Sequence, residues 1–216
     1  KSTEPGQTNE GKSFKSSSRI LSLLCLWESL RLGESRSIAL RFKRTILSWG
    51  CCMKYRTLAG TDIRVSEIGF GLWTLVTGRW GRFTEFEAAA LLHRALDQGV
   101  NFFVTTDVDA EGAGEELLAK AFRSQREEIT IAVKVGYDFY HAHARLHSSG
   151  KPSVQFTPEY IRFAVDKALQ RLKCERIDLL QLHDVTLEAI ENQDLHETLL
   201  ALKQAGKIRH HGIVLG

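Results

Sequence analysis

Leu92-His93-Arg94-Ala95-Leu96-Asp97-Gln98-Gly99-Val100-Asn101-Phe102-Phe103 is the stretch on which the fold turns, because the hydrophobic period changes in the middle of it. Ala88, Leu91, Leu92 and Ala95 recur at helical spacing on one face, and Thr84 with Glu87 stands three residues apart at the head of that run, the spacing of a capping box. Gly99 stops the helix, and the apolar run Val100 to Thr105 that follows suits a buried strand. A helix feeding directly into a buried strand is the repeating element of a parallel sheet.

Working outward, the alternation continues on both sides. Upstream, Tyr55 to Leu58 and Val65 to Ile68 flank the turn-prone Ala59-Gly60-Thr61-Asp62 and predict an opening hairpin, and Ile68 to Trp73 predicts a first barrel strand. Downstream, Glu115 to Phe122 reads as a helix and Ile129 to Val135 as a strand. A polar loop from Gly136 to Phe156 then leads to Thr157-Pro158, a cap residue followed by proline at the first helical position. Ile161, Ala164, Val165, Ala168 and Leu172 carry that helix, and Ile177 to Leu182 forms the fourth strand. Leu195, Leu199 and Leu202 line a fourth helix stopped by Gly206, and Gly212 to Leu215 predicts a fifth strand. A hairpin, four βα units and a fifth strand with short connections point to an α/β protein, an incomplete (β/α)8 barrel rather than a completed doubly wound sheet.

Composition separates two regions. The 216 residues carry a net charge of +3, but residues 1–52 hold nine Lys/Arg against four Asp/Glu, and residues 53–216 hold 20 against 22, a net of −2. A positive balance confined to a Ser-rich leader argues against nucleic-acid binding by the patterned region. Three of the four cysteines (Cys25, Cys51, Cys52) also lie in the leader, and Cys174 stands alone, so no disulfide framework is available and a reducing cytosol is the expected compartment. The apolar run Ile20 to Trp27 is much shorter than the ~20 residues a membrane span requires. Met53 is the only methionine and the periodic sequence begins just after it, so residues 1–52 read as upstream translated sequence outside the fold. An amphipathic helix around Leu21 to Leu32 and a targeting peptide are the alternatives.

Several stretches resemble one family in the same order: Met53-Lys54-Tyr55-Arg56-Thr57-Leu58, Val65-Ser66-Glu67-Ile68-Gly69-Phe70-Gly71, the Leu92 to Phe103 stretch, Ala132-Val133-Lys134-Val135-Gly136, Ile177-Asp178-Leu179-Leu180-Gln181-Leu182-His183, and Gly206-Lys207-Ile208-Arg209. Together they resemble the aldo-keto reductases, over a 53–216 region that corresponds to the N-terminal portion of the family's barrel. The resemblance implies a reductase of aldehyde or ketone carbonyls using NADP(H), with NAD possible, and a small-molecule carbonyl substrate at the C-terminal ends of the strands. It implies that Lys134 matches the family's lysine, that His183 matches the histidine orienting the carbonyl, and that Gly71, Leu72 and Trp73 approach the nicotinamide. The groups gripping the diphosphate and adenosine come mostly from later strands of the family's barrel.

Two of the four positions at which the resemblance implies a catalytic group depart from the pattern. Where the family typically reads Phe-Asp-Thr-Ala-Asp-Val-Tyr-Gly, this chain reads Phe103-Val104-Thr105-Thr106-Asp107-Val108-Asp109-Ala110. Val104 replaces the aspartate that pairs with the lysine, and Asp109 replaces the proton-donating tyrosine. An aspartate is ordinarily ionised at neutral pH, and Lys134 beside it favours the ionised form, so Asp109 is expected to neutralise Lys134 and to be a poor general acid. A non-catalytic relative that binds nucleotide or a protein partner is the second reading these substitutions support.

Other constellations carry less. Asp107-Val108-Asp109-Ala110-Glu111-Gly112 imitates the start of a calcium loop, but Leu118 stands where the closing Glu is required. His141, His143 and His147 lie in a polar loop without a carboxylate partner, and no metal site is expected there. A five-stranded part of a barrel exposes strand edges, which favours association without fixing an oligomeric state.

Overall fold

The computed structural model describes residues 53–141 and 152–215. The leader readings, the Leu21 to Leu32 helix, His143 and His147 lie outside the described residues.

The chain opens with the expected antiparallel hairpin, β1 (Tyr55–Thr57) on β2 (Arg64–Ser66), with Tyr55 opposite Ser66. Five parallel strands follow in sequence order: β3 (Gly69–Gly71), β4 (Phe102–Thr106), β5 (Thr130–Val135), β6 (Ile177–His183) and β7 (Ile208–Val214). Neighbours in sequence are neighbours in space, as in a barrel wall. The result is an incomplete α/β barrel.

The α-helices among the described residues are α1 (Trp73–Val76), α2 (Glu85–Asp97), α3 (Ala113–Ala121), α4 (Pro158–Leu172), α5 (Leu187–Glu191) and α6 (Gln193–Gln204). The capping box forms at the head of α2: Glu87 N–H donates to Thr84 Oγ1 at 3.2 Å, and Thr84 N–H donates to Glu87 Oε2 at 2.8 Å. Such a cap contributes about 1 kcal/mol. At α4, Thr157 Oγ1 accepts from Tyr160 N–H and Pro158 occupies the first turn.

Two apolar clusters hold the sheet. On its outer face, Phe103, Ile131, Val133, Val135, Leu180 and Leu182 pack under helix residues such as Leu92, Leu118, Ile161 and Leu199. On the inner face, Ile63 and Val65 of the hairpin region pack on Ala132 and Leu179, with Leu58, Phe102 and Val104 against them. Alternation along each strand therefore sends Phe102 and Val104 inward and Phe103 outward. The hairpin covers the inner face at the end of the sheet where the strands begin.

Of the boundaries that differ from the sequence expectation, two have a clear local cause. The first barrel strand shrinks to Gly69–Gly71 because the chain turns into α1 at Trp73, where Leu75 and Val76 N–H groups both bond to Leu72 O. The fifth strand starts at Ile208 rather than Gly212, with Ile208 level with Ile177 of β6. Its polar start, Arg209-His210, hides it in the sequence: Arg209 Nη2 and His210 Nε2 reach the carboxylate of Asp62 at 2.5 and 2.7 Å, so both polar side chains are satisfied by the hairpin turn.

Candidate functional site

Lys134 and His183 lie near the C-terminal ends of adjacent strands, β5 and β6, and alternation puts both on the inner face with Ala132 and Leu179. Thr106 ends β4 directly beside Lys134 in register. Gly71 ends β3, and Asp109 follows β4 by three residues. All four strands thus deliver their last residues to one end, where the open ends of a parallel sheet concentrate functional groups.

Val104 is not at that end. It pairs in register with Ala132, two residues before the Lys134 level, and packs in the apolar inner cluster with the hairpin. The neighbour of Lys134 on β4 is Thr106, and its hydroxyl sits 3.4 Å from His183 Nδ1. The family pattern places alanine at this position, so Thr106 is a further departure, and its significance becomes visible only once β4 and β6 are seen together.

The chain leaves β4 through an unusual turn. Ala110 and Glu111, at φ +48° and +56°, and then Gly112, at φ +85°, occupy the left-handed region in succession. For a residue with a Cβ this costs about 1–2 kcal/mol. The turn sets Asp109 at its start and swings the backbone into α3.

Asp109 does not behave as the sequence suggests. Burial is the largest influence on its carboxyl and pushes it above the ordinary carboxylate range, against the opposing charges of Lys134 and Arg79. Lys134 favours the ionised form, as expected, but desolvation outweighs it. The group is a less acidic carboxyl than a bare aspartate.

Two tyrosines follow Lys134 closely, and one of them reaches the site. Tyr137, nearly buried, donates its hydroxyl to Asp184 Oδ2 at 2.5 Å and sets its ring edge-on to His183 with centroids 5.2 Å apart. Burial, then the hydrogen bond to Asp184, push its phenol up to about 12. Asp184 Oδ1 lies 3.9 Å from His183 Nε2. Nothing in the sequence singles out Asp184, because an aspartate following a strand carries no signal of its partners.

Behind β4 lies a second group that the sequence does not announce. Asp107 is fully buried, and among the described residues neither carboxylate oxygen has a hydrogen-bond partner of good geometry. Beside it Arg171 of α4 donates to the buried Glu115 of α3 and, through Nη1, to Tyr140 OH at 2.6 Å. Burial above all, and then the charge of Glu115, push the Asp107 carboxyl well above its ordinary value.

The Gly71-Leu72-Trp73 segment leaves β3 at the same end. Leu72 is wholly buried and offers only backbone, with its N–H on Val104 O. A Cβ at Gly71 would stand 3.3 Å from the Trp73 ring, so glycine lets that ring lie close over the chain. Trp73 is 40% exposed and meets Trp80 edge-on at 6.2 Å. A flat, partly exposed indole beside an unencumbered backbone suits one face of a planar aromatic ring.

His141 is placed outside this site, and Asp138 gives it a carboxylate neighbour that the sequence does not reveal, with Nδ1 3.0 Å from Asp138 Oδ1. Among the described residues no group of three or more histidines, cysteines, aspartates or glutamates stands together as a metal site. No described helix is long and apolar enough to cross a membrane.

Comparison with known proteins fits this arrangement. Residues 67–214 match the model of the aldo/keto reductase family. The chain is 34% identical over 166 residues to an uncharacterized oxidoreductase of Bacillus subtilis, covering 74% of this chain and 48% of that protein. It is 30% identical over 167 residues to L-galactose dehydrogenase of Arabidopsis thaliana, covering 74% and 48%. The holo form of an aldo-keto reductase from Bacillus halodurans superposes with a TM-score of 0.65 at 34% identity, over 76% of this chain and 50% of that one. The chain therefore spans about half the length of the relatives it matches. With the family model covering most of residues 53–216 and the parallel strands in the same architecture, the chain belongs to the aldo/keto reductase family.

Proposed function

We propose that this chain serves the reduction of aldehyde or ketone carbonyls by NAD(P)H, at a site formed by Lys134, His183 and Asp109. The observation that carries the reading is the delivery of Lys134 and His183 to the same end of adjacent strands, with Asp109 close enough to sense the charge of Lys134. A carbonyl oxygen that gains negative charge during hydride addition is stabilised by such a cluster of donors and cations. A bound nicotinamide supplies the hydride, and Gly71, Leu72 and Trp73 are the residues that fit against its ring. NADP(H) is the cofactor the family resemblance favours, with NAD as the alternative, and the cysteine pattern favours a reducing cytosol as the setting.

Catalysis at this site is expected to be slow. Position 109 lacks a phenol, and position 104 places a valine where a carboxylate would share the inner face with Lys134. Loss of a positioned general acid costs about 100- to 10,000-fold. The same two substitutions favour a second reading, a relative that binds nucleotide or a protein partner without turnover. Titration of nicotinamide fluorescence with NADPH and NADH, run beside an aldehyde-reduction assay, separates the two. Binding with measurable turnover supports the reductase; saturable binding without turnover selects the second reading.

A further inference from the structure

A carbonyl oxygen reduced at this site needs a proton, and position 109 has no phenol to give it. We propose that His183 supplies that proton, as an imidazolium whose charge is held by Asp184 and whose ring is set by Thr106 and Tyr137. The inference rests on the reductase reading above and names the donor within it.

Three strand ends build this unit. From β4, Thr106 Oγ1 lies 3.4 Å from Nδ1. From the segment after β5, the Tyr137 ring packs edge-on against the imidazole at 5.2 Å and 89°, and its hydroxyl holds Asp184. Asp184 follows β6 directly, at φ +51°, a left-handed position that aspartate tolerates better than most residues. Its N–H is fixed on Val214 O of β7 at 2.9 Å, so its carboxylate cannot drift freely from the ring. That carboxylate stands 3.9 Å from Nε2, an ion-pair distance. The side chains are 19% and 27% exposed, enough desolvation for the charge to matter.

The roles of the two ring nitrogens follow. An imidazolium donates Nδ1–H to the Thr106 hydroxyl, which aims the ring, and carries its second proton on Nε2 beside the Asp184 carboxylate. Among the described residues, the charged groups at this end of the sheet include Lys134 on β5, Asp109 after β4 and Arg79 beyond α1. The two cations oppose a charged imidazole; Asp109, when ionised, favours it, and Asp184 is the carboxylate at ion-pair distance. In the step itself the carbonyl carbon accepts a hydride from a reduced nicotinamide and the electron pair of the C=O π bond moves onto oxygen. The Nε2–H bond of His183 breaks, an O–H bond forms, and neutral imidazole remains. The carbonyl is reduced and the nicotinamide oxidised, with one proton consumed from the histidine.

The test follows the His183 ring through a pH titration by NMR in the full chain, in the native protein and in Asp184→Asn, Tyr137→Phe and Thr106→Ala. Asp184→Asn is expected to lower the His183 midpoint by about 1 pH unit. Tyr137→Phe is expected to raise it, because the carboxylate loses the phenol that competes for it. Thr106→Ala should change the Nδ1 signal more than the midpoint. A folded Asp184→Asn protein with an unmoved midpoint overturns the proposal. Should that variant not fold, a Tyr137→Phe midpoint that stays or falls does the same. Aldehyde reduction by NADPH across the same pH range completes the test and is expected to decline above the His183 midpoint. Reduction that persists without the Asp184 coupling overturns the donor assignment alone. Coupling without reduction at any pH overturns the reductase reading, and the donor role with it.

Discussion

Arg171 on α4 donates through Nε to Glu115 on α3, and the glutamate is wholly buried while the arginine is almost so. The pair joins two outer helices behind β4, and Gly112 makes room for it, since a Cβ there would collide with the Arg171 guanidinium. A buried ion pair gives little net stability against apolar residues of the same shape, but breaking one side leaves an uncompensated charge. Glu115→Ala is accordingly expected to destabilise the fold by about 3–5 kcal/mol, measured by urea unfolding. A loss below about 1 kcal/mol would show that Tyr140 and solvent compensate Arg171 without the glutamate.

Asp107 gives the same region a pH dependence of definite sign. Its carboxyl is raised well above its ordinary value of 3.8 in the folded protein, chiefly by burial. Below that ordinary value both folded and unfolded chains hold the proton, and the group carries no penalty. As pH rises, the unfolded chain releases the proton while the folded chain retains it, so stability falls until the folded carboxyl also titrates. Asp107→Asn removes this effect. The variant is expected to unfold at higher urea than the native protein at pH 7, with the difference closing as pH falls toward about 4. A difference independent of pH would assign the change to packing rather than to the carboxyl.

The parts of the molecule legible in the sequence are those written in local chemistry. Thr84 and Glu87 announce a cap, Thr157-Pro158 a helix start, and the change of period at Gly99 a strand, because each depends on residues within a few positions. Lys134 and His183 are legible as candidates through the family resemblance, and their places near strand ends agree with it. What stays hidden depends on residues distant in sequence. Thr106 meets His183 across 77 positions, Asp62 meets His210 across 148, and Tyr137 meets Asp184 across 47. The direction of the Asp109 shift is hidden for a related reason. The charge of Lys134 can be read from the pattern, but the burial that outweighs it is a property of the assembled turn.

The turn after β4 yields a prediction about strain. Ala110 holds φ +48° where the family pattern has glycine, the residue that adopts this conformation without a Cβ penalty. Ala110→Gly is expected to stabilise the protein by up to about 1 kcal/mol, the relief of strain being partly offset by the greater freedom of glycine in the unfolded chain. Differential scanning calorimetry at pH 7 reads the effect as a rise in Tm. A fall in Tm would show that the surrounding contacts, rather than strain, set the conformation of this turn.

The altered site offers the most direct test of the chemistry, because two departures can be reversed together. In a protein carrying the complete barrel, Val104→Asp with Asp109→Tyr restores a phenol at the start of the turn and a carboxylate on the inner face with Lys134. If proton donation by a phenol limits the reaction, turnover should rise about 100-fold or more while substrate KM changes little, since a general acid acts on charge that develops in the transition state. Asp109→Tyr alone should gain less, because Lys134 then lacks a carboxylate to hold it beside the phenol. The carboxylate introduced at position 104 also enters the apolar cluster of Ile63, Val65 and Leu179, so the double variant should lose stability even as it gains rate. Comparing it with Asp184→Asn in the same background completes the assignment. With the phenol restored, loss of the Asp184 carboxylate should matter little to turnover, whereas in the native sequence it should reduce turnover sharply. Equal sensitivity to Asp184→Asn in both backgrounds would mean that His183 only orients the carbonyl and that the proton reaches it by another route.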